Sequence, residues 1–171
     1  LSDPEEKLKD IVESFTIAYR AADYIEINVS CPNTGESRVD LDMSFSERIF
    51  TEIMNVRNSQ TLRKAVYAKL SPDLSERHLI SIMDMLVRTG VNGVVVGNTY
   101  PTAKMSELPM NAKYEDLTPL RADGDCGGMS GRPLFDNMVW NVKYIREHYP
   151  QMSVIACGGI DHGYKIYDLI K

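Results

Sequence analysis

Apolar side chains along the chain follow two spacings, one typical of helices and one typical of strands. The first helix begins at Pro4, with Ser2 or Asp3 as its cap, because Leu8, Ile11, Val12, Phe15 and Tyr19 recur on one side. The same spacing predicts further helices over Phe45 to Asn58, over Ser75 to Thr89 with Gly90 as the stop, from Leu134 onward, and from near His162.

Short runs rich in β-branched residues separate these helices. They are YIEINVS, AVYAKL, GVVVGNT and SVIACGG, and they lie near positions 24, 65, 92 and 153. The third is continuously apolar, as is typical of a strand in a sheet covered on both faces. Strands that alternate with helices predict an α/β fold with a parallel sheet. The stretch between Thr99 and Leu134 is longer than most connections.

The predicted strands end in residues suited to chemistry, namely Asn28, Ser30 and Cys31, then Lys69, then Asn98 and Thr99, and finally Gly158 and Gly159. Parallel barrels and open doubly wound sheets both place their sites at these carboxyl ends, so both folds stay open. A whole (β/α)8 barrel takes about 250 residues, and four strands make about half of one. We therefore expect the remaining strands to come from omitted sequence or from a partner chain.

Composition narrows the classes of function. The chain has 171 residues, the length of one domain, and a formal net charge of −5, which argues against a nucleic-acid partner. No apolar run approaches the roughly 18 residues of a spanning helix. The three cysteines and three histidines are scattered, which argues against a disulfide framework and against a metal site.

The loop NVSCPNTG follows the first predicted strand. Asn28 and Asn33 offer paired amide donors and acceptors for a planar, amide-rich ligand, and Pro32 stiffens the turn between them. Cys31 can act as a base or a nucleophile where its surroundings favour the thiolate. A single cysteine is also a common small core residue, so the loop by itself leaves both interpretations open.

Five blocks of sequence resemble the dihydroorotate dehydrogenase family, in the family's order and over most of the chain. They are ADYIEINVSCPNTG, YAKLSPDL, GVNGVVVGNT, GGMSGRPL and VIACGGIDHG. The resemblance implies a (β/α)8 TIM barrel, of which residues 1–171 form about the C-terminal half, roughly four βα units, incomplete at both ends. It also implies that this segment binds FMN and orotate.

The resemblance further implies an activity, the oxidation of dihydroorotate to orotate in pyrimidine biosynthesis. In that reaction C5 loses a proton to an enzyme base and C6 loses a hydride to N5 of FMN. Matched residue by residue, Cys31 is the base. The residues implied to bind orotate are Asn28, Asn33, Asn98 and Thr99. Those implied to bind FMN are Asn28, Lys69, Ser130, Gly131, Gly158 and Gly159.

Two features point to different subclasses of that family. Cys31 resembles the soluble class, which is cytoplasmic and uses fumarate or NAD as its second electron acceptor, whereas GGMSGRPL resembles the membrane-linked class, which reduces quinone and in mitochondria lies at the inner membrane. We favour the quinone class. Gly97 stands where the family usually carries a hydroxyl residue.

Other interpretations remain open at the level of sequence. A related flavin oxidoreductase acting on pyrimidines would share NVSCP, and a truncated barrel relative could serve as a structural subunit of a larger assembly. Lys69 could be a strand-end lysine with a buried stem, and Asn98–Thr99 could cap a helix. The paired glycines could simply turn the chain.

Overall fold

Helices and strands alternate along the chain in the computed structural model, which describes residues 3–28, 42–101 and 128–171. The helices in these ranges are α1 (Pro4–Tyr19), α2 (Met43–Ser59), α3 (Glu76–Thr89), α4 (Phe135–His148) and α5 (Gly163–Ile170). The strands are β1 (Tyr24–Ile27), β2 (Ala65–Leu70), β3 (Gly93–Val96), β4 (Tyr100–Pro101), β5 (Gly128–Met129) and β6 (Ser153–Ala156).

Capping residues explain where α1 and α2 begin and where α3 ends. Asp3 accepts a hydrogen bond from the Glu5 backbone at 2.9 Å, which confirms the predicted start of α1. Asp42 caps α2 in the same way, so this helix begins two residues before the predicted Phe45. Gly90 ends α3 with φ of 79°, a left-handed conformation that glycine adopts without a steric cost. In the part of the chain that the structure describes, no helix is both long and apolar enough to cross a membrane.

Four strands form one parallel sheet in the order β1–β2–β3–β6. The four predicted strands and their parallel arrangement are therefore confirmed. Every residue of β3 is buried, as its continuous apolar sequence predicted. The register aligns Ile27 with Ala68, Leu70 with Val96, and Val96 with Ala156, so the carboxyl ends of all four strands lie at one edge.

The main hydrophobic core lies between the sheet and its helices. Ile25, Val66 and Val94 project from the strands into this core, where they meet buried side chains of α2 and α3 such as Ile53 and Leu86. Burying side chains of this size contributes about 1.5–3 kcal/mol each. Because strand residues alternate between faces, the sheet has a second face, here called the inner face. It carries Tyr24, Glu26, Tyr67, Lys69 and Ile155.

A short antiparallel pair was not predicted from the sequence. Tyr100 of β4 pairs with Met129 of β5, and both pack with Leu134 in a small second cluster. Strands of two residues contain no alternation that a sequence pattern could show. The pair brings the chain that leaves β3 back to the chain that leads into α4.

A partly buried hydrogen bond joins Tyr149, the residue after α4, to α3. The Tyr149 hydroxyl donates to Asp84 Oδ1 at 3.0 Å and also approaches the Ile80 carbonyl at 3.5 Å. Burial, followed by the hydrogen bond to Asp84, raises the pKa of Tyr149 to about 12. The two helices are thereby fixed to each other behind the sheet.

Candidate active site

The carboxyl edge of the sheet gathers several of the residues singled out from the sequence. Asn28 directly follows β1, Lys69 is the penultimate residue of β2, and Asn98 lies two residues beyond β3. On the far side, Cys157 and then Gly158 follow β6. The parallel register brings these strand ends to the same level, as in barrel enzymes.

Asn28 and Asn98 touch across the end of β2. The Nδ2 atom of Asn98 donates to Oδ1 of Asn28 at 3.5 Å. The Oδ1 atom of Asn98 accepts from the Thr99 backbone N–H at 2.9 Å, which fixes the orientation of the Asn98 amide. Two of the amides predicted to bind substrate are thus brought together at the edge, with β2 and its Lys69 between their strands.

Lys69 faces the inner side of the sheet. Its neighbours Ala68 and Leu70 are buried against the helices, so the alternation of the strand turns Lys69 the other way. Its Nζ lies 3.3 Å from Oε1 of Glu26 on β1, which faces the same side. The ammonium of Lys69 therefore has a specific carboxylate partner on this face.

Thr99 leads into a strand rather than a helix. The next residue, Tyr100, begins β4, so the interpretation of Asn98–Thr99 as a helix cap is wrong. Thr99 packs against the backbone of Gly128, where any side chain would collide with it. The β4–β5 pair therefore fixes Thr99 beside the edge that carries Asn98.

The two glycine-rich segments meet beyond the end of β6. Gly159 has φ of 67°, and a Cβ at this position would lie 2.8 Å from the carbonyl oxygen of Gly131 and 3.1 Å from the Cα of Arg132. Glycine is required at position 159 because both its conformation and its closest neighbour exclude a side chain. The absence of a side chain at Gly159 thus lets the two backbones approach each other.

Asp161 ties the same two segments together by side-chain contacts. Its carboxylate accepts from Lys165 Nζ and His162 Nδ1, each at 2.8 Å, and from Arg132 Nε. The hydrogen bond from His162, then those from Lys165 and Arg132, hold the pKa of Asp161 well below its usual range. Lys165 also donates to the Gly159 carbonyl at 2.9 Å. The arrangement fixes the backbone around Gly131 and Gly159.

The described residues fit a planar polar ligand that carries an anionic tail. Lys69 places a cation on the inner face, and exposed amides lie at the adjacent strand ends. At Gly131, where φ is 88°, no atom of the described residues lies within 4 Å of the position a Cβ would take. The backbone is therefore bare, and an anion can approach its N–H groups closely. FMN, with its flat ring system and terminal phosphate, has this combination of features.

The remaining predicted site residues are Cys31, Asn33, Ser130 and Gly158. Cys31 and Asn33 lie outside the described residues. Ser130 is exposed beside Gly131, and Gly158 lies beside Gly159 with φ of 138°.

Sequence reasoning missed Glu26 and Asp161. An acid inside the otherwise apolar YIEI strand was the available signal for the first, but nothing local marked the second, whose partners come from two segments.

Parallel βα units with polar side chains at the carboxyl ends of the strands define a class of α/β proteins that includes (β/α)8 barrels and open doubly wound sheets. Within that class, the chain belongs to the dihydroorotate dehydrogenase family, because the family model for dihydroorotate dehydrogenase matches residues 2–171.

Similar proteins agree on the family and on the fold. The chain is 29% identical to a protein of Teredinibacter turnerae named dihydroorotate dehydrogenase (quinone), over 94% of this chain and 46% of that protein. It is 31% identical to the mitochondrial dihydroorotate dehydrogenase (quinone) of Schizosaccharomyces pombe, over 92% of this chain and 34% of that protein. The chain thus spans less than half the length of these relatives.

A solved structure gives the same result in three dimensions. A crystal structure of the dihydroorotate dehydrogenase of Eimeria tenella in complex with ferulenol superimposes with a TM-score of 0.75 at 27% identity, covering 95% of this chain and 45% of that one. The predicted fold is confirmed, because the described βα units form part of a (β/α)8 barrel.

Proposed function

We propose that this chain provides the FMN- and orotate-binding segment, residues 1–171, of an enzyme that oxidises dihydroorotate to orotate in pyrimidine biosynthesis. The observation that carries the proposal is the contact between Asn28 and Asn98 across β2, whose Lys69 faces the inner side. These residues lie in a chain that matches the family over nearly its whole length.

Substrate recognition rests on amides and a hydroxyl. Asn28, Asn98 and Asn33 each offer both a donor and an acceptor, which suits a pyrimidine ring with alternating N–H and C=O groups. The backbone contact of Asn98 pre-sets its amide. Thr99 adds a hydroxyl beside it.

Lys69 and the two glycine-rich segments are the proposed cofactor-binding residues. Lys69 supplies a fixed positive charge, which stabilises an electron-rich ring held against the inner face. Ser130, Gly131, Gly158 and Gly159 would hold the phosphate end through backbone N–H groups, and Asn28 would contact both cofactor and substrate. When bound, FMN supplies the acceptor for the hydride that leaves C6 of dihydroorotate.

Cys31 is the proposed general base. It follows Asn28 by three positions in the sequence, and Asn28 directly follows β1. A thiolate there would take the proton from C5 of the substrate, and removal of such a base typically slows a reaction by about 10²–10⁴-fold. The base and the hydride acceptor would then act on adjacent carbons of one ring.

Quinone is the proposed second electron acceptor. The segment GGMSGRPL favours this class, and the relatives from Teredinibacter turnerae and Schizosaccharomyces pombe are both named as quinone enzymes. Fumarate and NAD are the alternatives to test beside it, because Cys31 resembles the base of the soluble class.

The visible spectrum of the purified full-length protein tests the proposal. Flavin absorbance should be present and should bleach when dihydroorotate is added without oxygen, and a quinone should restore it faster than fumarate or NAD. Absence of flavin, or flavin that ignores dihydroorotate, would contradict the proposed activity.

Two cysteine variants locate the base. Cys31→Ala should slow the bleaching by at least about a hundredfold while orotate binding changes little. Cys157→Ala is the matched comparison, because Cys157 is an exposed thiol at the end of β6. A large loss of rate in Cys157→Ala with none in Cys31→Ala would place the base at the end of β6. It would contradict the proposed role of Cys31.

A further inference from the structure

Glu26 and Lys69 form an ion pair on the inner face of the sheet. Oε1 of Glu26 and Nζ of Lys69 are 3.3 Å apart, and the side chains are only 33% and 24% exposed. The two residues come from adjacent strands, β1 and β2, which pair in parallel. The contact is therefore fixed by the register of the sheet as well as by the charges.

The register also gives the pair a direction. Glu26 lies opposite Tyr67, so Lys69 is displaced by two residues toward the carboxyl edge of the sheet. Tyr24, two residues before Glu26 on β1, meets Tyr67 edge to face with ring centroids 5.7 Å apart. The ammonium of Lys69 thus lies on the side of Glu26 that faces the edge carrying Asn28.

A lysine without such a partner would sample many positions. Its side chain has four rotatable bonds and a strongly hydrated ammonium. A carboxylate at 3.3 Å restricts these positions, and the alternation of β1 allows Glu26 to reach no other face. The electrostatic effect of a cation depends steeply on its distance from the group it stabilises.

We propose that Glu26 is a positioning residue that holds the ammonium of Lys69 at the inner face, so that the lysine acts on a bound flavin from a fixed place. The proposal rests on the proposed function, because it assumes that Lys69 lies against the flavin. It adds a residue of β1 that determines how strongly the lysine favours the reduced cofactor.

The reduction potential of the bound flavin in four variants tests this role. Lys69→Met should lower the equilibrium constant for two-electron reduction by about tenfold, equivalent to about 30 mV. In a Glu26→Gln background the same change should lower it by less than threefold, because the lysine is no longer held in place. This comparison isolates the coupling between the two residues from their separate effects.

A flavin-free measurement keeps the proposal separate from the proposed function. Modification of Lys69 by an amine-reactive reagent, followed by mass spectrometry in protein without flavin, should be at least threefold faster in Glu26→Gln. Glu52→Gln is the matched control, because Glu52 is an exposed acid on α2. It should leave the rate of Lys69 modification unchanged.

The outcomes separate cleanly. The positioning role would be overturned if Lys69→Met changed the equilibrium constant for flavin reduction equally with and without the Glu26 carboxylate. An unchanged rate of Lys69 labelling in Glu26→Gln would also overturn it. Both results would count even if dihydroorotate bleaches the flavin. A protein that binds no flavin would defeat the proposed function and with it the effect on the cofactor, whereas the labelling rate would still decide whether Glu26 holds Lys69.

Discussion

Asn98 donates a hydrogen bond of 3.5 Å to Asn28, although the two residues lie 70 positions apart and follow strands, β3 and β1, that do not pair with each other. The bond is at the long end of the accepted range, so it is weak. In the proposed function, polar atoms of orotate would therefore replace it at little cost, while the sheet keeps the two amides close together.

Asn98→Ala should weaken orotate binding by about tenfold to a hundredfold, the usual effect of losing one hydrogen bond to a charged ligand. Isothermal titration with orotate measures it. Asn58→Ala, on the exposed surface of α2, is the control and should leave the affinity unchanged. An Asn98→Ala protein that binds orotate normally would remove Asn98 from the substrate site.

Gly159→Ala should destabilise the protein by about 1–3 kcal/mol, because a Cβ would meet the Gly131 carbonyl at 2.8 Å in a backbone conformation with φ of 67°. Flavin content should fall as well, since the two glycine-rich segments, which we propose hold the FMN phosphate, would move apart. Urea unfolding and the flavin-to-protein ratio measure the two effects.

Gly97→Ala provides the contrast. The nearest atom to a Cβ at Gly97, Cβ of Pro72, is 3.8 Å away, which is ordinary van der Waals contact. This variant should keep its stability and its flavin. Equal losses in both variants would contradict a requirement for glycine that is specific to position 159.

Asp161→Asn should lower the thermal midpoint at neutral pH. The carboxylate has a depressed pKa in the folded protein, so its stabilising effect is present above its ordinary value of 3.8 and is lost as the pH falls further. The difference in midpoint between the wild type and the variant should therefore be constant near neutral pH and shrink below about pH 3.8. A difference that grows in acid would contradict the assigned contacts of Asp161.

Tyr149 should resist ionisation at alkaline pH. Its raised pKa means that the stability it contributes is complete below pH 10 and is lost as the pH rises toward about 12. The wild type should lose stability over that window, whereas Tyr149→Phe should not. In a tyrosinate absorbance titration, the difference between the two proteins should show one hydroxyl titrating near pH 12 rather than near pH 10.

The helices and the parallel sheet could be predicted because each element is several residues long and repeats its pattern. The apolar spacing of α3, its Ser75 cap and its Gly90 stop all indicate the same helix. The carboxyl-end position of Asn28 and Asn98 then follows from the parallel order. Their contact could not be predicted, because it depends on side-chain reach across β2.

The remaining features depend on contacts between distant parts of the chain. In the sequence Asp161 resembles an ordinary loop acid, because its partner Arg132 lies in a distant segment, before α4. The β4–β5 pair contains too few residues for a detectable period. The sequence shows Glu26 only as an acid in an apolar strand. Its ion pair with Lys69 could not be predicted, because it depends on the register of β1 and β2.

The β4–β5 pair has a consequence for the positions of the residues that flank it. Tyr100 and Met129 are neighbours in space, so residues 102–127 leave and return at nearly the same point. The entropy of closing such an excursion grows only slowly with its length. The pairing of Tyr100 with Met129 therefore sets the positions of Thr99 and Ser130, on either side of that stretch, without reference to its length.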